Sequence, residues 1–258
     1  MTAAATGPDV RRRRARWPWA LLIVVAVIAA LLVAAELVAR AVLPGIVRSL
    51  VVEELKLPAD QQLDVEASGV LLPQLISGTL DELQLSSKRV TIGGITGSAQ
   101  VTATGVPIRG GALGSAKGTV AIDQSQFATL LKNSQLPITG VVLAAPDATV
   151  QGELSVLGRE IPVGLTVTPG AQDGDLLLTP VSATLGGAEI DLKRLSGMLG
   201  GLGAQLAAPQ RICIAEHLPS GITLTGLHIE GTSAVADISA DGRIATDPAL
   251  LENGACPR

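Results

Sequence analysis

The chain has 258 residues, with 19 Lys+Arg against 23 Asp+Glu and a formal net charge of −4. Five arginines stand among the first 16 residues beside one acid, Asp9, so the remainder carries about −8, which argues against nucleic acid and against simple electrostatic attachment to anionic lipid. Aromatic residues make up 1 % of the chain and tyrosine is absent, which excludes base-stacking platforms, disfavours sugar-binding faces and leaves an aliphatic interior of the kind that suits acyl chains.

The N-terminus comes first in chain order and says most. Arg11, Arg12, Arg13, Arg14 and Arg16 form a basic cluster, and residues 17–35 follow without a charge. At about 1.5 Å per residue, a helix of that length just spans a hydrocarbon core of about 30 Å. The arginines hold the N-terminus in the cytoplasm, with Trp17 and Trp19 at the interface. The rest is then expected at the periplasmic or exterior face of the cell membrane, where ATP, NAD and nucleic acid are not the expected ligands. Two readings share these residues: an uncleaved signal-anchor, or a signal peptide cut near Ala41 that releases a secreted protein. Ala39-Arg40-Ala41 matches the A-x-A cleavage pattern. The arginine between the alanines and the length of the apolar run favour the anchor. The expected organisation is a basic cytoplasmic tail over 1–16, a transmembrane or signal helix over 17–41 and one exterior domain over 42–258.

A first exterior helix is expected over 46–57, with Val47, Leu50, Val51 and Leu55 on one face and Pro58 ending it. Apolar and polar residues then alternate with period two over 63–67, 83–86, 99–104, 118–122, 149–156, 161–167, 176–185, 222–229 and 234–238. That is the pattern of antiparallel strands with one buried face. Turn signals separate them at Gly93-Gly94, Gly110-Gly111, Pro169-Gly170, Asp173-Gly174, Gly186-Gly187 and Asp241-Gly242. Between the first two runs, Val70-Leu71-Leu72-Pro73-Gln74-Leu75-Ile76 is an apolar patch bounded by Gly69 and Gly78. Structurally it reads as a buried strand end or short helix; functionally, as a segment that enters the bilayer or lines a lipid entrance. A second helix is expected from the cap Asp123 to about Lys132, burying Phe127, Leu130 and Leu131. A third, over 192–206, carries Leu195, Leu199, Leu202 and Leu206 at spacings of three and four. Its four glycines each cost about 1 kcal/mol against alanine, so it reads as a loosely packed core helix or a mobile lip.

Cys213 and Cys256 are the two cysteines. In an oxidising compartment they are expected to pair. Catalytic signals are missing. His217 and His228 lack metal-ligand spacing, and no G-x-S-x-G elbow occurs. Gly110–Gly118 contains Lys117 but not in the P-loop order. The acids Asp81, Glu82, Asp173, Asp175, Asp237 and Asp241 fall at turns or on solvent-facing strand positions. No enzyme activity, metal or cofactor is therefore expected.

Several segments in order carry a resemblance: Val65-Glu66-Ala67-Ser68-Gly69-Val70-Leu71-Leu72-Pro73-Gln74-Leu75-Ile76-Ser77-Gly78, Val90-Thr91-Ile92-Gly93-Gly94-Ile95, Leu165-Thr166-Val167-Thr168-Pro169, Gly186-Gly187-Ala188-Glu189-Ile190 and Leu218-Pro219-Ser220-Gly221-Ile222-Thr223-Leu224. Together they make the chain, over roughly residues 40–245, resemble the LmeA-like phospholipid-binding family of actinobacterial cell-envelope proteins. An excess of Arg over Lys, with abundant Ala, Gly and Val, suits such a genome. The resemblance implies an α+β fold akin to tubular lipid-binding proteins, a curved antiparallel sheet wrapped around a long helix. It also implies phospholipid binding outside the membrane, in cell-envelope lipid or lipoglycan metabolism or transport. It supplies no catalytic residues and no residue-level lipid ligands, and the disulfide is independent of it.

The expected partners are a phospholipid or lipid-linked glycan and the cytoplasmic membrane, with acyl chains held in an aliphatic groove. Candidate lipid contacts are Val70, Leu71, Leu72, Leu75 and Ile76 with Leu195, Leu199, Leu202 and Leu206. Candidate headgroup ligands are Arg89, Arg109 and Arg194. The rival reading is an envelope scaffold that binds another protein through a sheet edge. No motif encodes the identity of the lipid or the oligomeric state.

Overall fold

A computed structural model describes residues 17–54, 63–92, 95–127, 138–156, 159–192, 194 and 207–257. The fold is α+β. Helix α1 (Trp17–Glu54) is followed by strand β1 (Asp64–Ala67), the short helix α2 (Leu71–Ser77) and β2 (Thr79–Ile92), β3 (Ile95–Pro107) and β4 (Ser115–Asp123). Then come β5 (Ile138–Ala144), β6 (Asp147–Val156), β7 (Arg159–Gln172), β8 (Asp175–Leu185), β9 (Ala188–Asp191), β10 (Gln210–Ile212), β11 (Ile222–Glu230) and β12 (Ser233–Ala240).

α1 is one helix where the sequence suggests two. It runs through Ala41 and Pro44 without a break. A proline in a helix interior removes a hydrogen bond and costs about 3 kcal/mol. Leu43 and Val47, on either side of Pro44, pack against a core of Val65, Leu71, Leu80 and Leu83, and that burial offsets the loss. The two halves of α1 differ. Residues 19–35 are exposed all round, whereas Glu36, Ala39, Leu43 and Val47 form a half-buried stripe at spacings of three and four. Among the described residues α1 is the helix long and apolar enough to cross a membrane, over Trp19–Ser49.

The strands form two antiparallel sheets. The first has the order β1-β2-β3-β4-β12-β11, the second β10-β8-β7-β6-β5 with β9 also paired to β8. The sheets meet where β11 packs on β7. At that seam the β7–β8 hairpin turns through Asp173 (φ 53°) and Gly174 (φ 87°), the paired positive φ values that a two-residue I′ turn requires. Arg211 on β10 donates to Asp173 Oδ2 at 2.8 Å. Just beyond β10, Cys213 is bonded to Cys256 with a Cα–Cα distance of 5.9 Å. The bond ties the C-terminal tail to this edge across a sequence separation of 43, a loop length for which the chain-entropy model gives about 4 kcal/mol.

Other expectations shift. Pro169 and Gly170 lie inside β7, not at a turn, paired with Leu178 and Leu177. Asp123 caps a helical turn over 124–127, accepting from Ser125 N–H at 2.9 Å, and Phe127 there is half-buried. Leu130 and Leu131 lie outside the described residues, as do Leu195, Leu199, Leu202 and Leu206. No described helix is wrapped by a curved sheet: α1 packs beside β1 and α2. β5, β9 and β10 are strands that the alternation did not signal.

Candidate functional site

Two apolar surfaces stand out. The first is one face of the second sheet. Paired residues on neighbouring strands share a face. Leu165 pairs with Val150 on β6 and Ala183 on β8, Val163 pairs with Leu185, and Ala183 pairs with Ile190 on β9. These side chains therefore line up. Gly152, between Ile138 and Val163 in the same row, has no side chain and leaves a recess. The result is a groove of about 440 Å³, within the roughly 300–1,000 Å³ usual for ligand pockets. Its lining contains no titratable side chain. Leu143 and Val167 are buried at one end of this face, while Leu165 (43 % exposed) and Leu185 (53 %) stay open.

The second surface lies between α1 and α2. The residue before α2 is Val70, which has no side-chain cap to offer. Glu36 of α1 supplies one from 35 residues away: Leu71 N–H donates to Glu36 Oε1 and Leu72 N–H to Oε2, both at 2.9 Å. A carboxylate at a helix N-terminus satisfies otherwise orphaned donors and meets the positive end of the helix dipole. Arg40, one turn further along α1, donates to Glu36 Oε1 at 2.9 Å and to the Gly69 carbonyl at 2.8 Å. Behind α2, buried Gln74 donates to the Ser68 carbonyl at 2.9 Å and accepts from Asp81 N–H at 3.0 Å. Gly78 ends α2 in the left-handed conformation, φ 83°, a usual helix C-terminal device. An apolar cleft of about 410 Å³ opens between Leu32, Val33 and Leu37 of α1 and Val70, Leu72 and Pro73.

The sequence-predicted residues divide accordingly. Leu71 is 1 % exposed, and Leu75 packs on the same core, so these two face inward. Val70 (58 % exposed) and Leu72 line the cleft, and Ile76 (81 %) points outward. Of the three candidate headgroup arginines, Arg194 follows β9, whose Ile190 lines the groove, and its N–H donates to Asp191 Oδ1 at 3.1 Å. Arg89 lies in β2, and Arg109 in the β3–β4 loop. The three are exposed and far apart in the topology. Sequence reading missed Glu36 and Arg40, although Glu36 is the first charge after the apolar run. It also missed the groove residues, although Ile161, Val163, Leu165 and Val167 alternate plainly in the sequence.

Two polar clusters lie on and just beyond β12 of the first sheet. Thr119 donates to Asp237 Oδ1 at 2.9 Å, and His228 Nδ1 stands 3.8 Å from Asp237 Oδ2. Asp237 sits between the other two, so the histidine is not placed to take the Thr119 proton. Asp241 accepts from the Arg243 side chain at 2.9 Å and from its backbone N–H at 2.9 Å. These bonds hold the Asp241 carboxyl down to about 2 and raise the Arg243 guanidinium. Among the described residues no group of three His, Cys, Asp or Glu is placed to hold a metal ion.

The LmeA-like phospholipid-binding family model matches residues 34–236. The match begins two residues before Glu36, where α1 first touches the domain, and ends before Cys256. No curated protein and no solved structure matches the chain. Covering most of the sequence, the family match settles the affiliation: the chain belongs to the LmeA-like phospholipid-binding family.

Proposed function

We propose that the protein is a non-catalytic, membrane-anchored phospholipid-binding protein whose domain faces the exterior of the cytoplasmic membrane. It would hold acyl chains against the apolar face of the β5–β9 sheet, in cell-envelope lipid or lipoglycan metabolism or transport. The observation that carries this reading is the groove itself. A phospholipid-binding family member presents aliphatic side chains from five adjacent strands around a recess at Gly152, with no ionisable group among them. Apolar area removed from water is worth about 25 cal/mol per Å², and acyl chains need no directional partner. α1 supports the anchoring: its first half is apolar and exposed on every side, the surface of a helix made for lipid.

Native mass spectrometry of the full chain, released from mild detergent and followed by lipid extraction, tests the proposal. A phospholipid retained at a fixed stoichiometry, and lost from a Leu165→Asp/Leu185→Asp variant that still folds, is the expected result. A chain that emerges without lipid and takes none up from phospholipid vesicles would refute it.

A further inference from the structure

We propose that α2 and the β3–β4 loop beside it form a seating surface that dips into the phospholipid bilayer next to α1. The proposal rests on α1 being membrane-spanning, as argued above, and adds a second contact with the membrane that is separate from the lipid-holding groove.

If Trp17 marks the inner interface, Leu32 and Val33 stand about 22–24 Å along α1 at about 1.5 Å per residue, inside a hydrocarbon core about 30 Å thick. Val70, Leu72 and Pro73 share a cleft with Leu32, Val33, Glu36, Leu37 and Arg40, a stretch about 22–35 Å along α1. They therefore lie at the outer edge of the hydrocarbon core, and a tilted α1 would sink them further. α2 cannot drift away from this level. Glu36 holds its first two N–H groups, and Arg40 holds the Gly69 carbonyl just before it.

The exposed side chains fit that depth. Ile76 is 81 % exposed on a helix of only 7 residues. Ile108, also exposed, donates its N–H to the Gly78 carbonyl at 2.9 Å, which sets the β3–β4 loop against the end of α2. An amphipathic helix at a membrane surface buries its apolar side about 5–10 Å deep. Arg40 lies about 35 Å along α1 from Trp17, level with lipid phosphates, and its side chain is 55 % exposed. The strands support the orientation. Pro44 and Arg48 stand beside Leu63 and Asp64 at one end of β1, while Glu36 reaches Leu71 beyond the other. The chain thus returns towards the membrane along β1. Thr79, Pro107 and Ser115 then mark the near end of the first sheet, and Asp123, Glu230 and Ser233 the far end.

The test uses the full chain in vesicles of phosphatidylcholine and phosphatidylglycerol. Single cysteines at Ile76, Val70, Val27 and Glu230 carry an environment-sensitive nitrobenzoxadiazole label, with the native disulfide intact. These side chains are exposed, so labelling leaves the core alone. We expect the labels at Ile76 and Val70 to shift to the blue and to lose most of their emission to nitroxide-bearing phosphatidylcholine. The label at Val27 behaves likewise, and the one at Glu230 does not. Quenching at Val27 without quenching at Ile76 and Val70 overturns the seating surface and leaves the anchor standing. Absence of quenching at all three overturns both. Lipid retention by native mass spectrometry is unaffected in either case, which separates this outcome from failure of the groove.

Discussion

The corner where α1 meets α2 and the apolar face of the second sheet are built from the same aliphatic residue types, yet they solve opposite problems. At the corner, Leu71 is 1 % exposed, and the polar groups around it are matched by Glu36, Arg40 and Gln74. On the sheet face, Leu165 and Leu185 are about half exposed over a recess, with no charged group among the lining residues. Buried polar groups need partners, and once partnered they fix one geometry. An open aliphatic face fixes nothing. The corner is a clasp, and the face is, in the proposed function, a surface for acyl chains.

The largest effect should come from breaking the clasp. Leu71→Ala removes the most buried large side chain among the described residues. Cavity-forming Leu→Ala changes cost about 2–5 kcal/mol, and about 3 kcal/mol is expected here by denaturation of the full chain in detergent. Lipid retention at saturating lipid should persist in molecules that remain folded. Loss of retention at unchanged stability would mean that the corner, not the sheet, holds the lipid.

The complementary change leaves stability almost untouched. Leu165→Ser with Leu185→Ser alters two half-exposed side chains. Full burial of each leucine is worth about 1.5–3 kcal/mol, and about half of that is still available to a ligand. Affinity for phospholipid should fall roughly tenfold or more, measured by titration with a fluorescent phospholipid. An unchanged affinity would remove the groove from the binding site.

How much of this was legible in the sequence differs between the two regions for a physical reason. The apolar run at 17–35 and the alternation in β6, β7 and β8 are local patterns, so the apolar helix and the strands could be read directly. The groove depends on register: Leu165 meets Val150 and Ala183 only after three strands pair. β5 was missed because Ile138-Thr139-Gly140-Val141-Val142-Leu143-Ala144 is nearly all apolar and bulges around Gly140, so period two is lost. The Glu36 cap joins residues 35 apart in sequence, and no propensity encodes it. Pro44 stands inside α1 although proline ordinarily breaks a helix interior, beside Leu43 and Val47, which pack on the core. The expected pairing of Cys213 with Cys256 rested on compartment and count, and the structure places the two within bonding geometry.

Glu36→Ala sharpens the same comparison with a smaller effect. The amides of Leu71 and Leu72 lose their acceptors. Their hydrogen exchange should accelerate, while the Leu143 amide, which donates to Gln124 Oε1 at 2.8 Å on the second sheet, keeps its protection. Equal acceleration at both places would show that the clasp and the sheet open as one unit.

Acid separates the first sheet from the groove most gently. Asp241 follows β12 at the near end of the first sheet. Its N–H donates to the Gly221 carbonyl at 2.8 Å, and the turn it caps accepts from Leu113 N–H at 2.7 Å. The Arg243 side chain first, and then its backbone N–H, hold the carboxyl at about 2, below the ordinary 3.8. A carboxyl whose pKa is depressed on folding contributes stability that is complete above its unfolded value and drains away as pH falls towards the folded one. Between about pH 4 and about pH 2 the wild-type chain should therefore lose stability that Asp241→Asn, already lacking the charge, does not lose. The groove presents no group that titrates in this window. Phospholipid affinity per folded molecule should stay level while the denaturation midpoint of the wild type falls. A parallel fall in affinity would place an ionisable contact in the binding site that the aliphatic face does not contain.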